Sequence, residues 1–302
     1  MKLTPNYDDW SGALADGRRV YAVIGDPIEH SRSPRMQNAA FAASGMGRPY
    51  TKLRVTSEQL ADFIAFARDR LRGVNVTIPH KQRVISLLDE VDPAAAAADS
   101  VNTLVISSGR IKGYSTDGIG LEFALKRHFN RPISGGNFLF LGAGGAAWAT
   151  AVTLARHGAA AICVANRTAD KAERLVEAIN RRTSCRAQAL SLSDISGLTA
   201  AVGKADFLIQ TTSLGLRESD APALPETVLA AANPRLAVFD LIYRDTALLQ
   251  LARKLGLAGA DGREMLIGQG AESFRLWTGK EPDLDAMRRG FDSEAEEADD
   301  AD

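Results

Sequence analysis

From Tyr21 onward, short apolar runs rich in β-branched residues alternate with longer amphipathic stretches: YAVIG, then 34–44, YTKLRV, then 58–68, and GVNVTI. Period-2 runs separated by period-3.6 stretches predict strand, helix, strand, helix, strand. Pro34 suits a first helical turn, and Ser33 before it is the expected cap. Past Pro79 follow a short helix, an Ala-rich segment over 93–98 and two runs meeting at Ser108 and Gly109, which read as a hairpin. A helix over 117–129 leads to a second alternating series that starts at Asn137: FLFL, a long Ala-rich helix, AICVAN, a helix over 169–181, DFLIQ and LAVFDLI. Beyond Ile242 only helical patterns remain, over 247–255, 263–277 and 283–289, with Gly256 and Gly279 as stops.

Repeated strand–helix units predict an α/β chain with two open, mostly parallel sheets. The expected division is 1–116 as a first domain, 117–245 as a second, and 246–292 as helices that return to the first. The stretch 293–302 is acidic and expected to be disordered. A length of 302 residues fits two cores of ordinary size. No apolar run approaches the roughly 18 residues of a membrane span. With 36 Lys and Arg against 37 Asp and Glu, the net charge of −1 gives no general attraction to nucleic acid. Cys163 and Cys185 form no CxxC or disulfide framework, and the first ten residues lack a secretory apolar core, so a reducing, cytoplasmic setting is expected.

The first chemical signal is Gly142-Ala143-Gly144-Gly145-Ala146-Ala147, placed between an apolar strand and a helix. Gly142 serves the tight turn, Gly144 lets backbone approach a pyrophosphate, and Ala147 permits close helix–strand packing, which is a Rossmann dinucleotide fingerprint in its required context. The next strand ends in Asn166-Arg167-Thr168, where an NAD enzyme would carry an acidic residue. Arg167 can pair instead with a 2′-phosphate, aided by Thr168 and by Lys171 one turn on, so NADP is favoured. The bland alternative is an Arg on a solvated face.

In the first domain, Ser31 and Ser33 occupy the loop after the first strand, at the sheet edge where open α/β folds bind ligands. Asn75 and Thr77 share one face of an otherwise apolar strand, and Lys81 stands beyond Pro79 at its mouth. Buried polar groups need partners, so these imply a polar ligand or an internal network. Asn102, Asp117 and Gln269 each admit a bland reading as turn residue, helix cap and exposed helix position. His30, His80, His128 and His157 show no ligand spacing, so no metal is expected.

Taken in order, IGDPIEHSRSP, GVNVTIPHK, VNTL, GYSTDG, GAGGAA with NRT, TTSLGL, DLIY and MLIGQGAESFRLWTG resemble the shikimate dehydrogenase family, from about Val23 to Gly279. The resemblance implies an N-terminal substrate domain, a Rossmann domain for NADP, and reversible NADPH-dependent reduction of 3-dehydroshikimate to shikimate, a step of aromatic biosynthesis. It implies that Ser31, Ser33 and Tyr243 bind the substrate carboxylate, that Asn75, Thr77, Asn102, Asp117 and Gln269 hold the ring hydroxyls, and that Lys81 and Asp117 are catalytic. For the cofactor it adds Thr211, Thr212, Ser213, Leu216, Ile242 and Gly262 to the glycine turn and to Asn166, Arg167, Thr168 and Lys171. The sequence departs from the family pattern at Ser115, usually Asn, at Gln37, where His is common, and at Leu216, often Met.

The rival readings are a quinate/shikimate dehydrogenase of broader substrate or cofactor use, and a non-catalytic sensor of NADP and shikimate. Retention of both Lys81 and Asp117 favours an enzyme, since a sensor needs no proton donor. Small-molecule partners alone are expected, on a monomer or a homodimer, for which the strand near 50–55 offers an edge.

Overall fold

The computed structural model describes Trp10, Gly12, Leu14 and residues 20–47 and 49–293. The expectations for 1–9 and for the acidic stretch from 294 lie outside the described residues. The described residues divide into two compact units: those up to 95, 101–116 and those from 270 on form the first, and 96–100 with 117–269 the second.

In the first unit, β1 (Tyr21–Gly25) is buried throughout and lies between β2 (Tyr50–Arg54) and β3 (Gly73–Val76), parallel to both. β5 (Thr103–Ser107) runs antiparallel to β3 and to β6 (Arg110–Tyr114), and β4 (Glu90–Val91) closes the order β2-β1-β3-β5-β6-β4. The predicted hairpin at Ser108 and Gly109 is the β5–β6 turn, with φ of 49° and 71°. One face carries Ala22, Ile24, Val74 and Val76 into an apolar core with Phe63, Ile64 and Ala67 of α2 (Leu60–Arg70). The opposite face is aromatic. Tyr21 stacks on Phe41 of α1 (Ser33–Ala43) at 4.7 Å and lies 5.1 Å from Trp277, whose indole N–H donates to the Leu104 carbonyl.

Ser33 is not the cap of α1. Arg32 occupies the cap position without a side-chain capping bond, Ser33 is already helical, and its N–H donates to the Ser31 hydroxyl at 3.3 Å. The two serines thus divide the role expected of one. Between β3 and β4 the chain makes one short 3-10 helix (Arg83–Leu87), and α3 (Pro93–Ala97) follows β4.

The second unit opens with α4 (Asp117–Phe129) and holds a wholly parallel sheet. In the order β9-β8-β7-β10-β11-β12, its strands are β7 (Asn137–Leu141), β8 (Ala161–Asn166), β9 (Arg186–Ser191), β10 (Phe207–Gln210), β11 (Ala237–Asp240) and β12 (Ala258–Ala260). Read from β7, that order is 3-2-1-4-5-6, the doubly wound arrangement of dinucleotide-binding domains. Alternation along β7 sends Phe138 and Phe140 into one apolar layer and Leu139 and Leu141 into the other, which is why the run carries no polar residue past Asn137. The first layer is covered by α4, α5 (Gly145–Arg156) and α6 (Ala169–Arg182), and the second by α7 (Ile195–Lys204), α8 (Glu226–Leu229) and α9 (Ala247–Lys254).

The expected return of the chain at 246 is corrected by this sheet. α9 packs on β11 and β12, and β12 pairs with β11, so the second unit runs on to Gln269. The return begins at Gly270, inside α10 (Arg263–Thr278), and continues with α11 (Leu284–Asp292) against α1. A helical period shows that a segment has an apolar face, but not which core receives it.

Candidate functional site

The second unit gathers its candidate residues along one sheet edge. The segments 142–145, 166–171, 211–216 and 241–243 follow the carboxyl ends of β7, β8, β10 and β11, where open α/β sheets bind ligands. Gly142 has φ of 107°, and a Cβ there would lie 2.6 Å from the Thr211 hydroxyl, so only glycine fits the turn. Gly144 caps α5 with no side chain, and Cβ atoms at Gly144 or Gly145 would meet nothing within 4 Å. No side chain stands at the start of α5, where the first N–H groups of a helix have no partners within it and can receive a phosphate. Thr211 donates from its hydroxyl to the Leu141 carbonyl at 2.7 Å, tying the β10 loop to the glycine turn.

Arg167 and Thr168 are exposed beyond β8, which pairs with β7 at Leu141 and Ala165. The Asn166 amide donates to the Thr168 carbonyl at 2.8 Å and bends the chain there, so Asn166 shapes the turn that presents Arg167. Lys171 is exposed in the first turn of α6. Leu216 and Tyr243 are among the exposed large side chains, at 61% and 36%. Gly262 donates its N–H to the Ile242 carbonyl at 3.2 Å, which brings those two cofactor candidates together.

Sequence reasoning overlooked three supports of this edge. Gln210 is fully buried; its amide donates to the Thr212 hydroxyl and the Leu214 carbonyl, and its oxygen accepts from the Thr212 N–H. Asp220 accepts from the N–H groups of Gly215 and Arg217, which holds its carboxyl below the usual range. Asp240, with no exposed surface, accepts from the Ile242 N–H at 3.0 Å and the Thr246 hydroxyl at 2.7 Å. Burial outweighs those bonds and pushes its pKa up to about 6, with Asp261 adding to the rise. The visible signal for Gln210 and Asp240 was a polar residue ending an otherwise apolar strand.

In the first unit the polar candidates separate into two groups. Asn75 is spent inside the fold: its oxygen accepts from the Tyr50 hydroxyl at 2.7 Å, and its amide reaches the Asn102 carbonyl and the hydroxyls of Thr103 and Ser273 at 3.0–3.1 Å. Asn102 belongs to the same network, donating to the Thr116 hydroxyl at 2.9 Å and accepting from the Thr116 N–H at 2.8 Å. Of the two possibilities raised by polar residues on an apolar strand, this is the internal network, and Tyr50, Thr103, Thr116 and Ser273 are members that the sequence did not announce. Thr77 lies one residue past the end of β3 at Val76. Its N–H still reaches the Ile24 carbonyl, which carries the chain past the strand end toward Lys81.

Lys81 is half-buried, and its carbonyl accepts from the Val101 N–H at 2.9 Å, so the loop after β3 is tied to the segment that bears Asn102. Ser31 and Ser33 meet at the start of α1. Lys81 lies in the first unit, whereas Asp117 opens α4 in the second and is buried. Gln269 is buried as well, not exposed, and its amide donates to the Leu266 carbonyl of its own helix.

Comparison with known proteins gives this layout a lineage. Residues 23–104 match the shikimate dehydrogenase substrate binding domain, 262–289 the shikimate 5′-dehydrogenase C-terminal domain, and 138–214 a saccharopine dehydrogenase NADP binding domain. A shikimate dehydrogenase (NADP(+)) of Rubrobacter xylanophilus is 42% identical over 91% of this chain and 96% of its own. The chain belongs to the shikimate dehydrogenase family. A crystal structure of the Listeria monocytogenes shikimate 5-dehydrogenase with shikimate and NAD aligns at a TM-score of 0.83 and 34% identity, covering 90% of this chain and 95% of that one. The Thermus thermophilus enzyme with NADP(H) and shikimate aligns at 0.79 and 35% identity, over 90% and 97%. Both domain types expected from the sequence motifs are thus present, and the second unit is a Rossmann domain.

Among the described residues no group of His, Cys, Asp and Glu could hold a metal ion, and no helix is long and apolar enough to cross a membrane.

Proposed function

We propose that this protein is an NADP-dependent shikimate dehydrogenase, interconverting shikimate and 3-dehydroshikimate on the route to aromatic compounds. The observation that carries the cofactor half is the glycine turn after β7 beside Arg167 and Thr168 after β8, on adjacent parallel strands. The donor set fits NADP: helix N–H groups for the pyrophosphate and a guanidinium in place of a ribose-binding carboxylate. When bound, the reduced nicotinamide supplies hydride to a ring carbonyl carbon.

The chain's own residues do the rest. Ser31 and Ser33, side by side at the start of α1, and Tyr243 receive the substrate carboxylate. Thr77, Asn102, Asp117 and Gln269 are assigned to the ring hydroxyls, and Asn75 supports them by fixing Asn102 and Thr103 rather than by touching substrate. Lys81 supplies the proton to the carbonyl oxygen during reduction and takes it back during oxidation. A site built on hydroxyl recognition rejects analogues that leave its buried donors and acceptors unpaired, which favours one polyhydroxylated acid over its neighbours.

Two free, buried cysteines agree with a reducing cytoplasm. β2 is an edge of the first sheet, so a homodimer through it and a monomer are the two assemblies to separate by sedimentation. The deciding assay measures reduced nicotinamide with purified protein, crossing shikimate and quinate with NADP+ and NAD+. Preference for shikimate with NADP+ is expected. Equal use of quinate would move the assignment to a broad dehydrogenase, and tight binding without turnover would make the protein a sensor.

A further inference from the structure

α10 meets α1 and α11 at Gly270. A Cβ at Gly270 would run into the methyl of Met36 and lie 3.3 Å from that of Met287, both fully buried, and one at Gly290 of α11 would lie 2.6 Å from the Arg35 carbonyl of α1. Glycines let these three helices approach closely, but flexible methionines fill the junction, and apolar contact with methionine fixes neither rotation nor register. Arg32 ties α1 to α11 through the Phe291 carbonyl and Phe41 packs on Phe274 of α10, while the hydrogen bond from α1 to α10 comes from Gln37, which has no exposed surface and donates its amide N–H to the Gly270 carbonyl at 2.9 Å.

That amide is costly where it stands. Its orientation is set by the carbonyl it faces, and this leaves its oxygen buried with no hydrogen-bond partner. A methionine of similar length would fill the same space without stranding an acceptor, so stability alone does not account for glutamine here. Gln37 is one helical turn after Ser33 on the same face of α1, and Gly270 directly follows Gln269 and precedes Ser273, the partner of Asn75.

We propose that Gln37 is a positioning residue for substrate: its bond to Gly270 sets the part of α10 that lies in the first unit against α1 and thereby holds Ser33 in register with Ser273, the partner of Asn75. This rests on the functional reading above. It predicts a split between the two ligands, because the cofactor edge lies wholly within the second unit and Gln37 lies in the first.

The test compares wild type with Gln37→Met and Gln37→His, measuring thermal midpoint, kcat, and KM for shikimate and for NADP+. Gln37→Met should melt at or above the wild-type temperature while its shikimate KM rises roughly 10- to 100-fold, the scale of a slight misplacement of binding groups, with NADP+ KM unchanged. Gln37→His, which restores an N–H donor, should recover most of the shikimate KM; Gln37→Leu serves if the methionine variant does not fold. Unaltered KM values in Gln37→Met, or a lowered midpoint with both KM values rising together, overturn the inference. So does a histidine variant no better than methionine. Wild-type turnover of shikimate decides the functional reading separately.

Discussion

Asp240 offers a test that joins stability to the cofactor edge. Its carboxyl is without exposed surface and titrates at about 6 in the fold against an ordinary 3.8. Between those values the folded chain holds a proton that the unfolded chain has released, so stability declines as pH rises through this window, and the full penalty is present above about pH 6. A shift of about two units corresponds to roughly 3 kcal/mol of destabilisation at neutral pH.

Asp240→Asn removes the charge and retains an oxygen for the Ile242 N–H, while its amide can face the Thr246 hydroxyl. Urea unfolding of both proteins should show nearly equal stability at about pH 3, below both values. Above pH 7 the asparagine variant should be more stable by about 1–3 kcal/mol, the lower bound allowing for one weakened hydrogen bond. Carboxylates held low nearer the surface, such as Glu29, Asp89 and Asp220, act with the opposite sign, their stabilisation being lost as pH falls. They are common to both proteins and cancel in the difference. A gap of the same size at both pH values would refute the argument, because it would place the effect in packing and not in titration.

Other outcomes follow from the same geometry. Gly142→Ala must adopt φ of 107° and crowd Thr211, so a loss of roughly 2–4 kcal/mol in stability is expected; Gly144→Ala, with open space around its Cβ, should melt normally yet weaken NADPH binding in a fluorescence titration. Arg167→Ala removes charge-assisted bonds each worth about 1.5–3 kcal/mol, so KM for NADP+ should rise at least about tenfold while that for NAD+ is unchanged. Lys81→Ala should lower kcat by about 10²–10⁴ with a much smaller change in shikimate KM, and near-normal turnover would remove Lys81 from the mechanism.

The elements legible in the sequence were those whose own residues declare them. The helix over 117–129 begins and ends where its pattern does, and the NFLFL strand and glycine turn are read without tertiary help. β9 was missed because RAQALS is a largely exposed edge strand with little β-branched content, and β12 because AGA becomes a strand only by pairing with β11. α7 was missed as well, a helix of Ile, Gly, Thr and Val with weak intrinsic preference that packing on β7 and α8 rescues. In the site, residue types sufficed where a turn exposes them, as at Arg167. They did not suffice at Asn75, whose network depends on Ser273, nearly two hundred positions away, nor at Gln37, which looked like a departure from a family pattern until its bond to Gly270 was seen.

The continuity of α10 has a consequence for how the polypeptide is made. The first sheet has all its strands once Tyr114 has left the ribosome, yet the aromatic face formed by Tyr21, Phe41 and Tyr50 waits for Phe274 and Trp277. At about 5–20 residues per second that interval is roughly 10–30 s. Throughout it the aromatic face lacks the two late rings that complete it, while the whole second sheet is still being made.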